Sequence, residues 1–254
     1  MSSPKSSDVV GTPAIALQGV SKQFFHDSNR TNSVRNWFIR SVLRRPGPPR
    51  PVSFSIEPID LTILRGQSLA LVGRNGSGKS TLLRLMSGIY RPTTGEVIRH
   101  GRIAAVLELG AGFHDELSGA DNIATYTAAF GLSEAETAER YDEIVDFAGV
   151  ADVLHMPIKH YSTGMQARLA LSVALCVRAE VLLLDEALSV GDRIFRRRVW
   201  QRLERLREAG GTLVLVSHDL STLAEFCDRG LWLDLGRVVA DGSATNVLKA
   251  YRRT

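Results

Sequence analysis

The apolar and polar positions change period several times along the chain. Ala14-Ile-Ala-Leu-Gln-Gly-Val20 begins a strand-like alternation, and a second structured start follows at Val52, where Ser53-Phe-Ser-Ile-Glu57 and Ile59-Asp-Leu-Thr-Ile-Leu64 alternate again. Ser68–Val72, Val181–Leu184 and Thr212–Ser217 are short continuous apolar runs, the pattern of parallel strands buried on both faces. The first of these leads into a glycine-rich turn and a helix opening at Thr81-Leu-Leu-Arg-Leu-Met-Ser87. Residues 114–168 differ in texture, with helical stretches at 120–130 and 134–147 and few β-branched runs. They read as a helical lobe inserted into an α/β core. The chain closes on a hairpin-like stretch from Leu231 to Ala240, and no internal repeat is visible. The expected fold is therefore α/β: a parallel-sheet core with an antiparallel β edge and an inserted helical subdomain.

Two stretches fall outside this pattern. Residues 1–13 are rich in Ser and Pro and are expected to be disordered. Residues 26–51 form an insertion between the two structured starts. Within it, Val34, Trp37, Phe38 and Val42 recur at helical spacing among Arg35, Arg40, Arg44 and Arg45, and the segment stops at Pro46-Gly-Pro-Pro49. This predicts a short basic amphipathic helix over 33–45. It packs either on its own domain or against a membrane surface or membrane partner.

Composition narrows the class without choosing a function. At 254 residues, with 44% hydrophobic and 23% charged residues, the chain is an ordinary folded protein able to bury a large core. The formal charge of +4 is modest and its arginines are interspersed with acids, which argues against nucleic acid as a partner. Two cysteines, Cys176 and Cys227, imply no disulfide framework and suit a reducing cytosol. No apolar run approaches the roughly 20 residues of a bilayer span, so a membrane role would come through a partner.

The chemistry begins at Gly73-Arg74-Asn75-Gly76-Ser77-Gly78-Lys79-Ser80, which matches G-x-x-x-x-G-K-[ST] between a predicted strand and a predicted helix. The glycines let backbone amides wrap phosphate oxygens, Lys79 supplies a point charge, Ser80 a Mg²⁺ ligand, and the helix beginning near Thr81 its dipole. Asp185 and Glu186 follow a buried strand at its carboxyl end, where open α/β sheets bind ligands. Asp185 is the candidate Mg²⁺ ligand and Glu186 the candidate general base. His218 ends the next strand at the same sheet edge, placed to donate a hydrogen bond to a γ-phosphate.

With these residues in hand, the sequence resembles the nucleotide-binding subunits of ABC transporters over residues 14–254. The discriminating piece is Tyr161-Ser-Thr-Gly-Met-Gln166, similar to that family's Leu-Ser-Gly-Gly-Gln signature and followed by an apolar helix over 167–177. The resemblance implies a P-loop NTPase (RecA-like) fold, ATP and Mg²⁺ as ligands, and a head-to-tail dimer. In that dimer Ser162 and the amide of Gly164 bind the γ-phosphate held by a second copy. Thr163 and Met165 depart from the common residues. Asp192, ending Ser-Val-Gly-Asp, matches the loop that links the two sites. Phe24 sits where family members stack an aromatic ring on adenine, with Phe25 as the alternative and core packing as the plainer reading. Glu108 stands where a Gln usually couples Mg²⁺ to the membrane partner; it ligates as Gln does but cannot donate a hydrogen bond.

Glu108-Leu-Gly-Ala-Gly-Phe113-His, Tyr161–Met165 and Asp185–Asp192 together resemble the exporters of lipid-linked polysaccharides of the O-antigen, capsule, teichoic-acid and galactan type. That likeness implies an integral-membrane transporter subunit as partner, a lipid-linked glycan as indirect substrate, and a peripheral location on the cytoplasmic face of the cell membrane. It also places the 33–45 helix near the membrane. Some members continue into a carbohydrate-binding domain; the sequence stops at Thr254, and none is expected. The alternatives are a soluble ABC ATPase acting on a protein or nucleic-acid assembly, an exporter of drugs or lipids, and a module that binds ATP without turnover.

Overall fold

The computed structural model describes residues 11–25, 52–107, 110 and 112–254. The proposed 33–45 helix, residues 1–10 and Glu108 lie outside the described residues. Strand β1 (Pro13–Phe25) pairs antiparallel with β2 (Val52–Leu64) on one side and β4 (Thr94–Arg99) on the other, forming a three-stranded sheet in the order β2-β1-β4. The strand starts at Pro13, inside the stretch expected to be disordered. A proline is tolerated there because a first strand position tolerates the missing N–H.

The second sheet has six strands in the order β5-β6-β7-β3-β8-β9: β5 (Ile103–Val106), β6 (Val181–Asp185), β7 (Thr212–Val216), β3 (Ser68–Val72), β8 (Arg229–Asp234) and β9 (Arg237–Ser243). Neighbouring pairs from β5 to β8 are parallel, and β9 closes the edge antiparallel to β8. The apolar runs in β3, β6 and β7 divide by alternation between two cores. Leu69, Leu71, Leu183, Val214 and Val216 face helix α1 (Lys79–Ser87) and the three-stranded sheet. Ala70, Val72, Leu182, Leu184, Leu213 and Leu215 face the helical side. Both faces are covered, which is why the sequence shows continuous apolar runs rather than a polar alternate face.

The helical side comprises α2 (Gly119–Ala129), α3 (Glu134–Ala148), α4 (Thr163–Cys176), α5 (Arg193–Glu208), α6 (Leu220–Phe226) and α7 (Ala244–Tyr251). Local chemistry sets their starts. Ser118, Ser133, Ser162, Asp192 and Asp219 each accept a hydrogen bond from a backbone N–H of the first turn of the helix they precede. Ser133 and Glu136 complete a capping box, and Gly149 ends α3 in a left-handed conformation. Fully buried Asn122 ties the loop before α2 to that helix, accepting from the His114 amide and donating to the carbonyls of His114, Leu117 and Ser118. Helix α4 begins at Thr163, four residues before the start read from the apolar run, because the Ser162 cap lets the polar signature residues form its first turn.

Candidate functional site

The loop 73–78 joins β3 to α1, and α1 starts differently from the next five helices. Its N-cap is Gly78, with no side chain to satisfy the first-turn amides. An uncapped N-terminus with its dipole intact is an anion site. Gly78 has φ 109°, and a Cβ there would meet the Ile56 side chain at 2.8 Å and Phe54 at 3.1 Å. Gly73 is equally constrained: a Cβ would collide with the Leu233 carbonyl and approach Ser77 Oγ to 2.5 Å. Ser77 Oγ is itself buried without a hydrogen-bond partner among the described residues. Lys79 Nζ turns back into the loop and donates to the carbonyl oxygens of Gly73 (2.8 Å) and Arg74 (3.2 Å). Arg74, Asn75 and Gly76 form the exposed crest, whereas Ser80 and Thr81 are half-buried.

Asp185 ends β6 beside this loop. Burial pushes its carboxyl above the usual carboxylate range, partly offset by a hydrogen bond from the Ser80 hydroxyl and by the charges of Lys79 and Arg84, while Glu186 adds to the rise. Ser80 and Asp185 are thus held together as a pair of hard oxygen donors, the chemistry that Mg²⁺ selects. A cation there would favour the ionised carboxylate that burial disfavours.

Glu186 adopts a left-handed backbone with φ 53°, a conformation rare outside glycine, pinned by its amide donating to the Val216 carbonyl at 3.0 Å. Its side chain meets His218 Nε2 at 2.9 Å. A cleft of about 340 Å³ is lined by Asn75, Gly76, Lys79, Ser80, Thr81 and Glu186, so the phosphate loop and the acid share one space. The structure therefore assembles 73–81, Asp185, Glu186 and His218 at one sheet edge.

It does not bring Ser162 and Gly164 there. Both sit on the exposed start of α4 and line none of this cleft. Around Gly164 a Cβ would find nothing nearer than Ser162 Oγ at 4.0 Å. Asp192 caps α5, accepting from the Phe195 amide at 2.8 Å. Phe24 is half-buried, edge-on to Tyr90 with ring centres 5.6 Å apart and 6.3 Å from Phe54, and Lys22 Nζ lies 5.4 Å over its ring. Phe25 is 49% exposed and takes no part in this cluster.

Two aromatic residues that the sequence reading omitted reach the site. Phe54 lines the cleft beside Gly76 and Thr81. Its alternation with Ile56 marked it only as a strand residue, and nothing local shows that β2 passes next to Gly78. Tyr251 walls an adjoining cavity of about 240 Å³ with Gly73, Lys79, Glu186 and His218, from a helix 172 positions after the lysine. No sequence signal connects it to the loop.

Comparison with known proteins gives this geometry a family. Residues 56–189 match the ABC transporter family model. The chain is 39% identical to the ABC transporter protein AbcA of Aeromonas salmonicida over 95% of its own length and 76% of that protein. It is 42% identical to the O-antigen export system ATP-binding protein RfbB of Myxococcus xanthus, over 78% of its own length but only 45% of RfbB. The post-hydrolysis dimer of the ATP-binding cassette MJ0796 bound to ADP and Pi has the same fold, with a TM-score of 0.69 at 23% identity over 91% of this chain and 98% of that one. With an uncapped phosphate loop facing a strand-end acid, a family-model match over residues 56–189 and 39% identity to AbcA over 95% of its length, the chain belongs to the ABC transporter family.

Proposed function

We propose that this chain is the ATP-hydrolysing subunit of an ABC exporter that moves a lipid-linked polysaccharide across the cytoplasmic membrane. The observation that carries the hydrolytic part is the Glu186–His218 contact at the rim of the phosphate-loop cleft. The polysaccharide part is supported by the likeness to an O-antigen export protein and by the motif combination around Glu108, Tyr161 and Asp185.

In this reading the α1 amides and Lys79 hold the β- and γ-phosphates of ATP, with Ser77, Gly76 and Gly78 shaping the loop around them. Ser80 and Asp185 would hold Mg²⁺, with Glu108 as a further candidate ligand; the ion would supply charge neutralisation on the phosphate oxygens. Glu186 accepts the proton of the water that attacks the γ-phosphorus, as the bond to the bridging oxygen breaks and ADP leaves. His218, its proton on Nε2, orients the Glu186 carboxylate and then donates to the γ-phosphate. Ser162 and Gly164 act on the ATP of a second copy, which accounts for their exposure in the single chain. ATP favours the closed pair and ADP the open one, and a membrane-embedded partner receives that difference. No described helix is long and apolar enough to cross a membrane. The likeness to export-system ATP-binding proteins supports a peripheral place on the cytoplasmic face.

Deleting the gene makes the lipid-linked glycan accumulate on the cytoplasmic side, measured in extracted lipids. An unchanged pool overturns the polysaccharide assignment and leaves a drug or lipid exporter in its place.

The aromatic cluster makes a separate prediction. Phe24→Ala and Phe54→Ala each weaken ATP binding by about 5–15-fold, the scale of one aromatic–base contact, while binding of inorganic triphosphate is unchanged. Equal loss for both ligands would mean that the rings support the loop and touch no base.

A further inference from the structure

The proposed site leaves the C-terminal helix unused, yet that helix ends against it. Its position is set by close packing on β8: Ala244, Val247 and Leu248 are buried, and a Cβ on Gly230 would lie 2.9 Å from Val247 Cβ. Only a residue without a side chain lets α7 approach so closely. The helix consequently delivers Tyr251 and Arg252 to one place.

Tyr251 packs edge-on against Trp232, with ring centres 5.6 Å apart, and forms a wall of the cavity that also contains Lys79, Glu186 and His218. Arg252 Nη2 donates to Ser221 Oγ at 2.8 Å. Ser221 lies in the first turn of α6, the helix that starts two residues after His218, with Asp219 between them as its N-cap. That turn is a tight knot. Asp219 accepts from the amides of Ser221 and Thr222 and from the Thr222 hydroxyl, while the Leu220 amide donates to the His218 carbonyl at 3.1 Å. Leu220 lines the same cavity as Tyr251. His218 itself is 76% exposed at its side chain, so little besides its backbone and the Glu186 contact fixes where the ring points.

We propose that Tyr251 and Arg252 are positioning residues for His218: the C-terminal helix clamps the turn that carries the histidine and holds its ring against Glu186. This rests on the hydrolytic reading given above. The histidine's reach toward a γ-phosphate then depends on a helix that contacts no phosphate. Displacing α7 slackens hydrolysis without loosening the nucleotide.

A double-mutant cycle on the full-length chain tests it, using phosphate release for kcat and KM and thermal unfolding to confirm folding. Arg252→Met and Tyr251→Leu retain apolar bulk. Each is expected to lower kcat about fivefold with KM for ATP changed less than about twofold, and Arg252→Lys, which keeps the donor, restores most of the rate. In a His218→Ala background the same substitutions have no further effect. Equal losses in both backgrounds, or a rise in KM matching the fall in kcat, overturn the proposal. A His218→Ala protein that hydrolyses at the wild-type rate overturns the hydrolytic reading together with it, whereas an impaired His218→Ala with additive Arg252→Met overturns the clamp alone.

Discussion

Glu186→Gln lowers ATP hydrolysis by about 10²–10⁴-fold, the range expected for losing a positioned general base, and leaves ATP binding intact. The amide has nearly the size and shape of the carboxylate, so the left-handed turn at φ 53° and the backbone bond to Val216 persist. Its Oε1 still accepts from His218 Nε2, which preserves the 2.9 Å contact. What disappears is the ability to take a proton from water, and with it one negative charge beside Asp185. Losing that charge removes a repulsion toward the triphosphate, so affinity holds or rises. Single-turnover phosphate release and equilibrium nucleotide binding separate the two effects. Normal hydrolysis by the variant would remove Glu186 from its assigned role.

The second large effect is expected at a residue that carries no side chain. Gly236 sits in the β8–β9 turn with φ +80°, donating its amide to the Ser77 carbonyl at 2.9 Å and accepting from the Glu57 amide at 3.0 Å. It therefore links β2, the phosphate loop and the sheet edge through its backbone. A methyl group there would collide with the Ser55 carbonyl oxygen and lie 3.2 Å from Ile56 Cα. Backbone atoms cannot rotate aside as a side chain does. Gly236→Ala is expected to cost about 2–4 kcal/mol, a fall in Tm of roughly 5–15 °C for a chain of this size, together with weaker ATP binding. Gly210→Ala is the control: it has φ +81° with nothing within 4 Å of a Cβ. It bears only the conformational strain, about 1 kcal/mol. Matching melting curves for the two variants would show that the turn yields freely and that Gly236 does not brace the loop.

Much of the site was legible because its parts are local. The run from Ser68 through Lys79 shows a buried strand, a turn requiring small residues and a helix start within a dozen positions. Asp185, Glu186 and His218 follow apolar runs whose continuity reveals strands buried on both faces, and parallel strands bring such ends to one edge. The helices α2 and α3 were visible in their period and caps. Less was visible in β4 and β5, which are short, and no residue of β4 is buried. Helix α5 was also missed. Its apolar stripe of Phe195, Val199 and Leu203 is thin among arginines, whose charge is met across space by Asp146 and Glu143 of α3.

By itself, then, the sequence marked the phosphate-loop motif, the doubly buried parallel strands of the core and the charged groups at their ends, since each depends on residues adjacent in the chain or on strand-end placement. Only the tertiary structure decided which distant side chains complete the cleft. Phe54 reaches Gly78 because two sheets close around α1. Gly236 braces Ser77 because a hairpin turn crosses beneath the loop. Tyr251 reaches the His218 cavity because α7 packs into the space left by Gly230. Contacts of this kind are set by the shape in which two cores bury their apolar faces, and no periodicity along the chain encodes them.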